Sequence, residues 1–341
     1  MKNDTKSKNI FGPLDYSQLK NFFKYCSDDE KVIKAIFKEQ QIRFTQPAAL
    51  NDPLEFNPII QFKQNGFNYW WFSLNDIFLP SEEFRLRFRL IEQQVNEFGI
   101  LSLTKIPDSF DMWSRYANGH KGFLIELKSD FNKHSCMISP ANKVYPVRKV
   151  QYVDEYSINV DELTDDKGQI KLEMFNDLMF YRKLSRWVAE QECRMVRPFS
   201  DLLGYVPLSN KAQRDERLHL FEFSLDCIES VTFGACMSFE NRKRIRKACK
   251  GSRIKLLRAA IVRDEKDDFG KAGKIVFLSE DSIPRSFYVS QFPLIVDTGH
   301  FEDQKKVMRI ASLSELPYWE DNKEWVRQMF EIRKAKQNNK S

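Results

Sequence analysis

The sequence predicts an α+β fold, with a mixed, mainly antiparallel sheet and flanking helices. Short apolar segments typical of strands are mixed with amphipathic helical segments along the chain. The sequence shows no internal repeat and no glycine-rich phosphate loop after a strand, which argues against solenoids and doubly wound nucleotide-binding folds. We therefore expect one main domain over residues 1–274 and a C-terminal extension over residues 275–341.

The first elements are predicted in the order strand, helix, strand. Asn21–Tyr25 is short and aromatic, as in a strand, and Ser27 and Glu30 form a capping box. Apolar residues then recur at helical spacing, which predicts a helix over residues 28–40. Gln41–Thr45 alternates between polar and apolar residues and ends near a proline, so it is predicted as a strand.

The remaining elements follow from the same periodicities. Helices are predicted over residues 81–98, 110–117 and 175–188, and a terminal amphipathic helix after a second capping box, Asp321 with Glu324. Strands are predicted over residues 99–105, 122–127, 143–152, 219–224, 229–234, 254–262 and 275–278.

Composition excludes several classes of protein. The 341 residues are 42% hydrophobic and include 29 phenylalanines, which indicates a packed interior. Apolar runs fall well below the roughly 18 residues of a membrane span, and the polar N-terminus lacks the apolar run of a secretory signal. We therefore expect a cytoplasmic protein that does not interact with membranes.

Cysteine and histidine are too few and too scattered to suggest a metal centre. The six cysteines include no CxxC pair, and none of the four histidines is spaced with another ligand as in a zinc site. No GxSxG nucleophile elbow is present either. We expect no bound metal and no serine or cysteine triad.

Positive charge is concentrated in one segment of the chain. Residues 241–263 contain ten lysines or arginines and no acid. Such a run is most often the solvated face of a helix, but it is also the pattern that contacts phosphates. Nucleic-acid binding through residues 242–263 is therefore an open alternative.

The segment Trp187–Pro198 contains the charged residues that most resemble a catalytic site. Pro198 disfavours helix at the residue before it, so we predict extended backbone over residues 189–197. Glu190, Glu192 and Arg194 would then share one face, with the two carboxylates roughly 7 Å apart. This arrangement is either a functional site or an ion-pair ladder, and a helical Glu190–Arg194 pair is the alternative if the preceding helix continues.

Three further groups of polar and aromatic residues are weaker signals. Trp113 and Tyr116 are spaced to share a helix face, and His120 follows in a glycine-containing turn. Asn51-Asp52-Pro53 is typical of a turn that caps backbone groups. Lys183, one turn before Trp187, is predicted to be solvated.

Four segments together resemble a bacterial family catalogued as domain of unknown function 2971. They are FKY at Phe23–Tyr25, IRFTQPAALNDPLEF at Ile42–Phe56, MWSRYANGHKGFLIEL at Met112–Leu127 and KLSRWVAEQECR at Lys183–Arg194. The resemblance covers roughly residues 19–262. The family's first motif resembles Lys-Tyr-Arg, whereas this chain has Cys26 at the arginine position.

The order of these motifs is also similar, by analogy, to that of ADP-ribosyltransferases. The analogy implies that Glu192 stabilises an oxocarbenium-like transition state and that Glu190 prepares the acceptor. It implies that Lys24 or Arg194 binds the pyrophosphate of NAD, and that Tyr25, Trp113 or Tyr116 stacks on nicotinamide with His120 nearby. The expected function is an intracellular NAD-utilising transferase or glycohydrolase that acts as a toxin or phage-defence effector.

Two other functions remain open from the residues alone. A magnesium-dependent nuclease would use the acids Asp52, Glu55, Glu190 and Glu192 as metal ligands and residues 242–263 for phosphates. A non-catalytic binding or regulatory module would use the charged strand only for structure.

Overall fold

A computed structural model describes residues 20–52, 54–56, 58–64, 67–71, 96–159, 161–163, 165, 171–201, 206–207, 217–263, 274–280 and 295–297. The helix predicted over residues 81–98 and the terminal helix after Asp321 lie outside these ranges, apart from residues 96–98. Most of the predicted C-terminal extension lies outside them as well. The extension and its boundary therefore stay predictions.

The helices and strands alternate irregularly along the chain. Within the described residues, the α-helices are α1 (Glu30–Phe37), α2 (Phe110–Tyr116), α3 (Leu172–Phe180) and α4 (Phe239–Ala248). The strands are β1 (Phe22–Cys26), β2 (Gln41–Arg43), β3 (Ile59–Gln64), β4 (Phe67–Trp71), β5 (Phe98–Thr104), β6 (Phe123–Leu127), β7 (Val147–Lys149), β8 (Gln151–Val153), β9 (Ser157–Asn159), β10 (Arg182–Leu184), β11 (Glu192–Pro198), β12 (Val206–Pro207), β13 (Arg217–Leu218), β14 (Leu220–Glu222), β15 (Ile228–Phe233), β16 (Lys255–Arg263), β17 (Lys274–Ser279) and β18 (Ile295–Asp297).

The chain forms two units, and each is assembled from separate segments. Unit 1 comprises Met1–Glu39, Lys105–Ser129 and Leu225–Ser341, and unit 2 comprises Gln40–Thr104 and Asp130–Ser224. Contacts within both units therefore join residues that lie far apart in the sequence.

Unit 1 is built on a sheet in the order β17-β16-β15-β6-β1. Neighbouring strands of this sheet pair antiparallel, except that β15 pairs with β16 in parallel. Strand β18 also pairs with β16 in parallel. All five residues of β6 are buried, so both faces of the sheet are covered there. The central position of β6 explains why FLIEL reads as a continuous apolar segment interrupted only by Glu126.

Unit 2 contains the antiparallel sheet β5-β11-β7 and several smaller pairings. Strand β3 pairs with β4 and β9, and shorter ladders join β8 with β10, β2 with β14 and β12 with β13. Its core includes an aliphatic and aromatic cluster contributed by β5, β9, α3 and the 3₁₀ helix Asp161–Leu163: Ile100, Ile158, Leu163, Phe175, Met179 and Phe180.

The predicted α+β class is confirmed, with a mixed and mainly antiparallel strand arrangement beside helices. Strands β14 to β17 lie where the alternating and apolar segments predicted them. Helix α1 begins at Glu30 with Asp29 as its N-cap, whereas the sequence predicted Ser27 in that role. No α-helix in the described part of the chain is long and apolar enough to cross a bilayer.

The helix predicted over residues 175–188 is wrong in its second half. Helix α3 ends at Phe180, strand β10 follows, and Ser185–Glu190 forms a 3₁₀ helix. The apolar spacing that suggested one long helix is therefore shared between two short elements. This change of backbone direction determines where Lys183 lies.

Candidate functional site

Strand β11 carries the centre of a buried ionic cluster in unit 2. Side chains alternate along a strand, so Glu192 and Arg194 project from the same face, as predicted. Arg194 donates from Nε to Glu192 Oε1 at 2.8 Å and from Nη2 to Oε2 at 2.9 Å. Arg194 is completely buried, so this bidentate pair lies in a low-dielectric environment where its geometry matters most.

All three nitrogens of the Arg194 guanidinium contact other groups of the protein. Its Nη1 donates to the carbonyl of Phe180 at 2.8 Å, and its Nη2 also contacts Glu55 Oε1. Glu55 comes from the loop that precedes β3. Arg194 therefore joins β11, the end of α3 and this loop into one network.

Lys183 completes the network from strand β10. Its ammonium donates to Glu190 Oε2 at 2.8 Å and to Glu192 Oε2 at 2.9 Å, and it lies 3.8 Å from Glu55 Oε2. Only 7% of Lys183 is exposed. The prediction that Lys183 is solvated is wrong, because the short strand β10 directs the side chain inward.

Glu190 reaches this lysine by a turn rather than along the strand. It is the last residue of the 3₁₀ helix, and Gln191 has left-handed backbone with φ of 41°. The carbonyl of Glu190 accepts a hydrogen bond from Thr104 Oγ1 at 2.6 Å, which fixes the turn. The prediction that Glu190 and Glu192 share one face of a strand is therefore wrong, yet the turn brings their carboxylates to the same ammonium.

The cluster holds three acids and two bases. Glu55, Glu190 and Glu192 face Lys183 and Arg194, so full ionisation would leave one net negative charge. Burial alone would raise the pKa of Glu192, but Arg194 and Lys183 outweigh burial and lower it to about 2. Burial raises the pKa of Glu55 despite the same two cations. The two cations thus stabilise the charge on Glu192, whereas burial makes Glu55 easier to protonate than an exposed glutamate.

The position of Lys183 bears on the metal-dependent alternative. A divalent cation shared by Glu190 and Glu192 would have to displace the ammonium that lies 2.8 and 2.9 Å from them. An ammonium already neutralises these carboxylates in the way that a metal would. The geometry therefore supports a magnesium site less well than a metal-free one.

Asp52 organises a second group beside the cluster. It is 5% exposed, and its carboxylate accepts from Arg186 Nη2 at 2.9 and 3.0 Å and from Trp187 Nε1 at 2.6 Å. Asp52 Oδ1 also accepts from the backbone N–H of Leu54 at 3.0 Å, so the predicted capping role is confirmed. Burial would raise the pKa of Asp52, but the hydrogen bonds from Leu54, Arg186 and Trp187 lower it.

The predicted aromatic residues come together in unit 1. The rings of Tyr25 and Trp113 meet edge to face at 5.3 Å, and the imidazole of His120 is parallel to the Trp113 indole at 6.3 Å. Trp113 is completely buried, and its Nε1 donates to the carbonyl of Pro107 at 2.8 Å. Tyr25 is 9% exposed, and its hydroxyl donates to the carbonyl of Ile106. Tyr25 and Trp113 are therefore mainly core residues, and their role in stacking on nicotinamide stays a prediction.

The turn at His120 is tightly constrained. His120 has φ of 65°, which is costly for a residue with a side chain. A Cβ on Gly234 would lie 2.1 Å from the His120 carbonyl oxygen, so glycine is required where β15 ends beside this turn. Burial lowers the pKa of His120, which keeps the partly exposed imidazole neutral at pH 7.

The other two predicted binding residues also belong to unit 1. Lys24 on β1 and Tyr116 at the end of α2 are both partly exposed. Cys26, which stands where the resemblance places an arginine, is buried, and burial raises the pKa of its thiol to about 11. Its properties are those of a small apolar core residue rather than of a charged ligand group.

The basic segment is only partly available to solvent. Arg242 and Arg258 are each 1% exposed, and Arg246 contacts the buried Glu280. Lys255 pairs with Glu229 at 2.7 Å. Several of these charges thus stabilise unit 1, and nucleic-acid binding by residues 242–263 stays a prediction.

Sequence reasoning missed the two residues that connect the site, Lys183 and Arg186. Both belong to the same short segment as Glu190 and Glu192, and the helical spacing concealed their position. A lysine next to a strand with two acids was the available signal, because a buried acidic pair needs a nearby cation.

Comparisons with known proteins agree with the resemblance inferred from the motifs. Residues 112–195 match the model of the family described as "Protein of unknown function (DUF2971)". The predicted resemblance to domain of unknown function 2971 is confirmed. The matched segment contains Trp113, His120 and all the charged cluster residues that follow β10. No curated protein and no solved structure matches the chain significantly.

Proposed function

We propose that this DUF2971 protein is an NAD-utilising enzyme that breaks the bond between nicotinamide and ribose, as an ADP-ribosyltransferase or a glycohydrolase. The proposal rests on one observation, the pair of buried carboxylates of Glu190 and Glu192 held on the common ammonium of Lys183. Cleavage of this bond develops positive charge at the ribose carbon, and a fixed carboxylate in a dry site stabilises that charge.

The network suggests a division of roles within the cluster. Glu192 receives three hydrogen bonds from Arg194 and Lys183, so its negative charge is fixed in place. We assign Glu192 the stabilisation of the oxocarbenium-like ribose and Glu190 the preparation of the acceptor. Arg194 serves as a positioning residue, because its nitrogens already bind Glu192, Glu55 and a backbone carbonyl.

The analogy with ADP-ribosyltransferases implies the contacts to the rest of the dinucleotide. Lys24 is the candidate for the pyrophosphate, since it is a partly exposed cation. Tyr116 and His120 are partly exposed, so they are better placed to contact a ring of NAD than the fully buried Trp113. Unrestrained NAD consumption would harm the cell that contains the enzyme, and we therefore propose a toxin or defence role.

The test measures nicotinamide release from NAD by the purified full-length protein. The assay is run with and without total cellular nucleic acid and protein as acceptors. Glu190→Gln is expected to lower the rate by roughly 10²-fold or more, because a carboxylate that acts on the reacting centre is lost. A chelator is expected to leave the rate unchanged, whereas a magnesium-dependent nuclease would lose its activity.

The controls separate catalysis from folding. Glu222→Gln on the exposed face of β14 should retain the wild-type rate. Glu192→Gln leaves Lys183 with one acid fewer, so it is compared with Lys183→Met/Glu192→Gln, which conserves the net charge of the cluster. Thermal unfolding of each variant is measured in parallel. Equal nicotinamide release by the wild type and by a blank without enzyme would contradict the proposal.

A further inference from the structure

Trp187 is held in a fixed orientation at the edge of the ionic cluster. Its Nε1 donates to Asp52 Oδ2 at 2.6 Å, and Asp52 is itself fixed by the N–H of Leu54 and by Arg186. Unlike Trp113, Trp187 is only partly buried. The indole is fixed by the hydrogen bond from its Nε1, and part of its surface is exposed to solvent. Such a ring is suited to contact a planar ligand.

The side chains of Arg186, Trp187 and Lys183 lie in a row between solvent and the carboxylates of Glu190 and Glu192. The side chain of Arg186 is 52% exposed, and its guanidinium carbon lies 5.8 Å from the centre of the Trp187 ring. The ammonium of Lys183 lies 5.3 Å from the same ring and binds Glu190 and Glu192. Trp187 therefore lies between an exposed cation and the proposed reacting groups.

We infer that Trp187 and Arg186 form a nucleotide-binding platform, on which the ring stacks a heteroaromatic base while the guanidinium binds the adjoining phosphate. Aromatic side chains stack on any base, and arginine binds phosphate through its planar set of donors. Arg186 contacts the buried Asp52 through Nη2, and its side chain is 52% exposed to solvent.

The position beside Glu190 and Glu192 selects the nicotinamide half of the dinucleotide for this platform, in place of the stacking on Tyr25, Trp113 or Tyr116 that the analogy implies. This identification of the base rests on the proposed function, whereas the binding of a base with its phosphate does not. A protein that binds nucleotides without cleaving NAD would keep the platform and lose only that assignment.

The experiment measures binding by calorimetry on the full-length protein, with nicotinamide mononucleotide, AMP and ribose 5-phosphate as probes. Trp187→Leu is expected to raise the Kd for nicotinamide mononucleotide roughly tenfold or more, in line with the loss of one stacked base. It should leave the weaker binding of ribose 5-phosphate unchanged. Arg186→Gln should weaken all three probes by a similar factor, since each carries one phosphate.

Two further variants keep the test decisive. Trp187→Phe retains a stacking ring without the bond to Asp52, so it should bind more tightly than Trp187→Leu even if both are less stable. Val188→Ala changes an exposed neighbour, and it should bind as the wild type does. A wild-type Kd for Trp187→Leu, or no binding of any probe by the wild type, would overturn the platform.

The outcomes also separate this inference from the proposed enzyme activity. Nicotinamide release by a Trp187→Leu variant that binds normally would overturn the platform and leave the activity in place. Base-dependent binding that Trp187→Leu abolishes, in a wild type that releases no nicotinamide, would support the platform and overturn the activity.

Discussion

Glu126 in unit 1 and Glu192 in unit 2 are both buried glutamates on strands inside a sheet, and their surroundings differ in charge. Glu126 accepts hydrogen bonds from Ser230 Oγ at 2.6 Å and from Asn21 Nδ2 at 2.9 Å, both neutral groups. Glu192 accepts from Lys183 and Arg194. Burial raises the pKa of Glu126, whereas the two cations lower that of Glu192 to about 2.

The comparison shows that the charge and the number of the hydrogen-bond partners can reverse the effect of burial on the pKa of an acid, whereas Glu55, which accepts from Arg194 alone, keeps a raised pKa. Neutral donors stabilise a carboxylate too weakly to offset its lost hydration, so burial wins at Glu126. Two cations in contact reverse the balance at Glu192. Unit 2 therefore depends on intact charge pairs, whereas burial makes the acid of unit 1 easier to protonate than an exposed glutamate.

The largest expected effect follows from removing the central cation of unit 2. Arg194→Met leaves Glu192 and Glu55 buried beside Lys183 alone and removes the hydrogen bond to Phe180. Breaking a buried pair in this way costs about 3–5 kcal/mol, because the remaining charge is uncompensated. Urea unfolding at pH 7, followed by circular dichroism, would measure the lost free energy of unfolding.

A matched substitution on the surface gives the control. The side chain of Arg244 is 48% exposed and lies 3.5 Å from Glu30, so Arg244→Met should change the free energy of unfolding by less than about 1 kcal/mol. If Arg194→Met lost no more than Arg244→Met, the cluster would not stabilise unit 2 and the comparison would fail.

The next effect is the acid dependence of unit 2. The folded pKa of Glu192 is about 2, below its ordinary value of 4.5. Its stabilisation is therefore complete above pH 4.5 and is lost as the pH falls through 2, a change of about 3 kcal/mol at most. The difference in unfolding free energy between the wild type and Glu192→Gln should shrink over this window.

The shift at Glu55 provides a check on the assignment. Because burial raises its pKa, Glu55 contributes in the opposite direction, with stability that is lost as the pH rises above 4.5. Glu192 is among the charges that raise the pKa of Glu55, so Glu192→Gln is also compared with its parent in a Glu55→Gln background, where the difference reports on Glu192 alone. A difference that stayed constant from pH 5 to pH 2 would contradict the ion pairing at Glu192.

The fold class could be predicted from the sequence because its signals are local. The strands β15 and β16 follow short apolar runs, and helix α2 lies where helical spacing predicted it over residues 110–117. Alternation along β11 was sufficient to place Glu192 and Arg194 on one face. These predictions needed only the order of residues within one helix or strand.

The connections within the site could not be predicted in the same way. Lys183 is buried because the helix stops at Phe180, and that end depends on packing against β5 and β9 rather than on a proline or glycine. The left-handed residue at the turn is Gln191, a residue type without a preference for that conformation. A long-range contact such as that of Glu55 with Arg194 cannot be recognised from the sequence of either segment alone.

The smallest expected effect concerns Glu126. The folded pKa of Glu126 is raised, so its favourable contribution is present below pH 4.5 and is lost as the pH rises through the folded pKa. Glu126→Gln keeps the shape and an acceptor for Asn21 but cannot ionise. The variant should therefore be equal to the wild type at low pH and more stable by on the order of 1 kcal/mol at pH 8.

The measurement compares urea midpoints of the wild type, Glu126→Gln and Ser230→Ala at pH 4, 6 and 8. Ser230→Ala removes the hydroxyl that donates to Glu126 and should raise its pKa further, so its stability should fall more steeply with rising pH. A Glu126→Gln protein that is less stable than the wild type at pH 8 would mean that the ionised carboxylate is preferred in unit 1. The contrast between neutral and charged partners would then no longer explain the two glutamates.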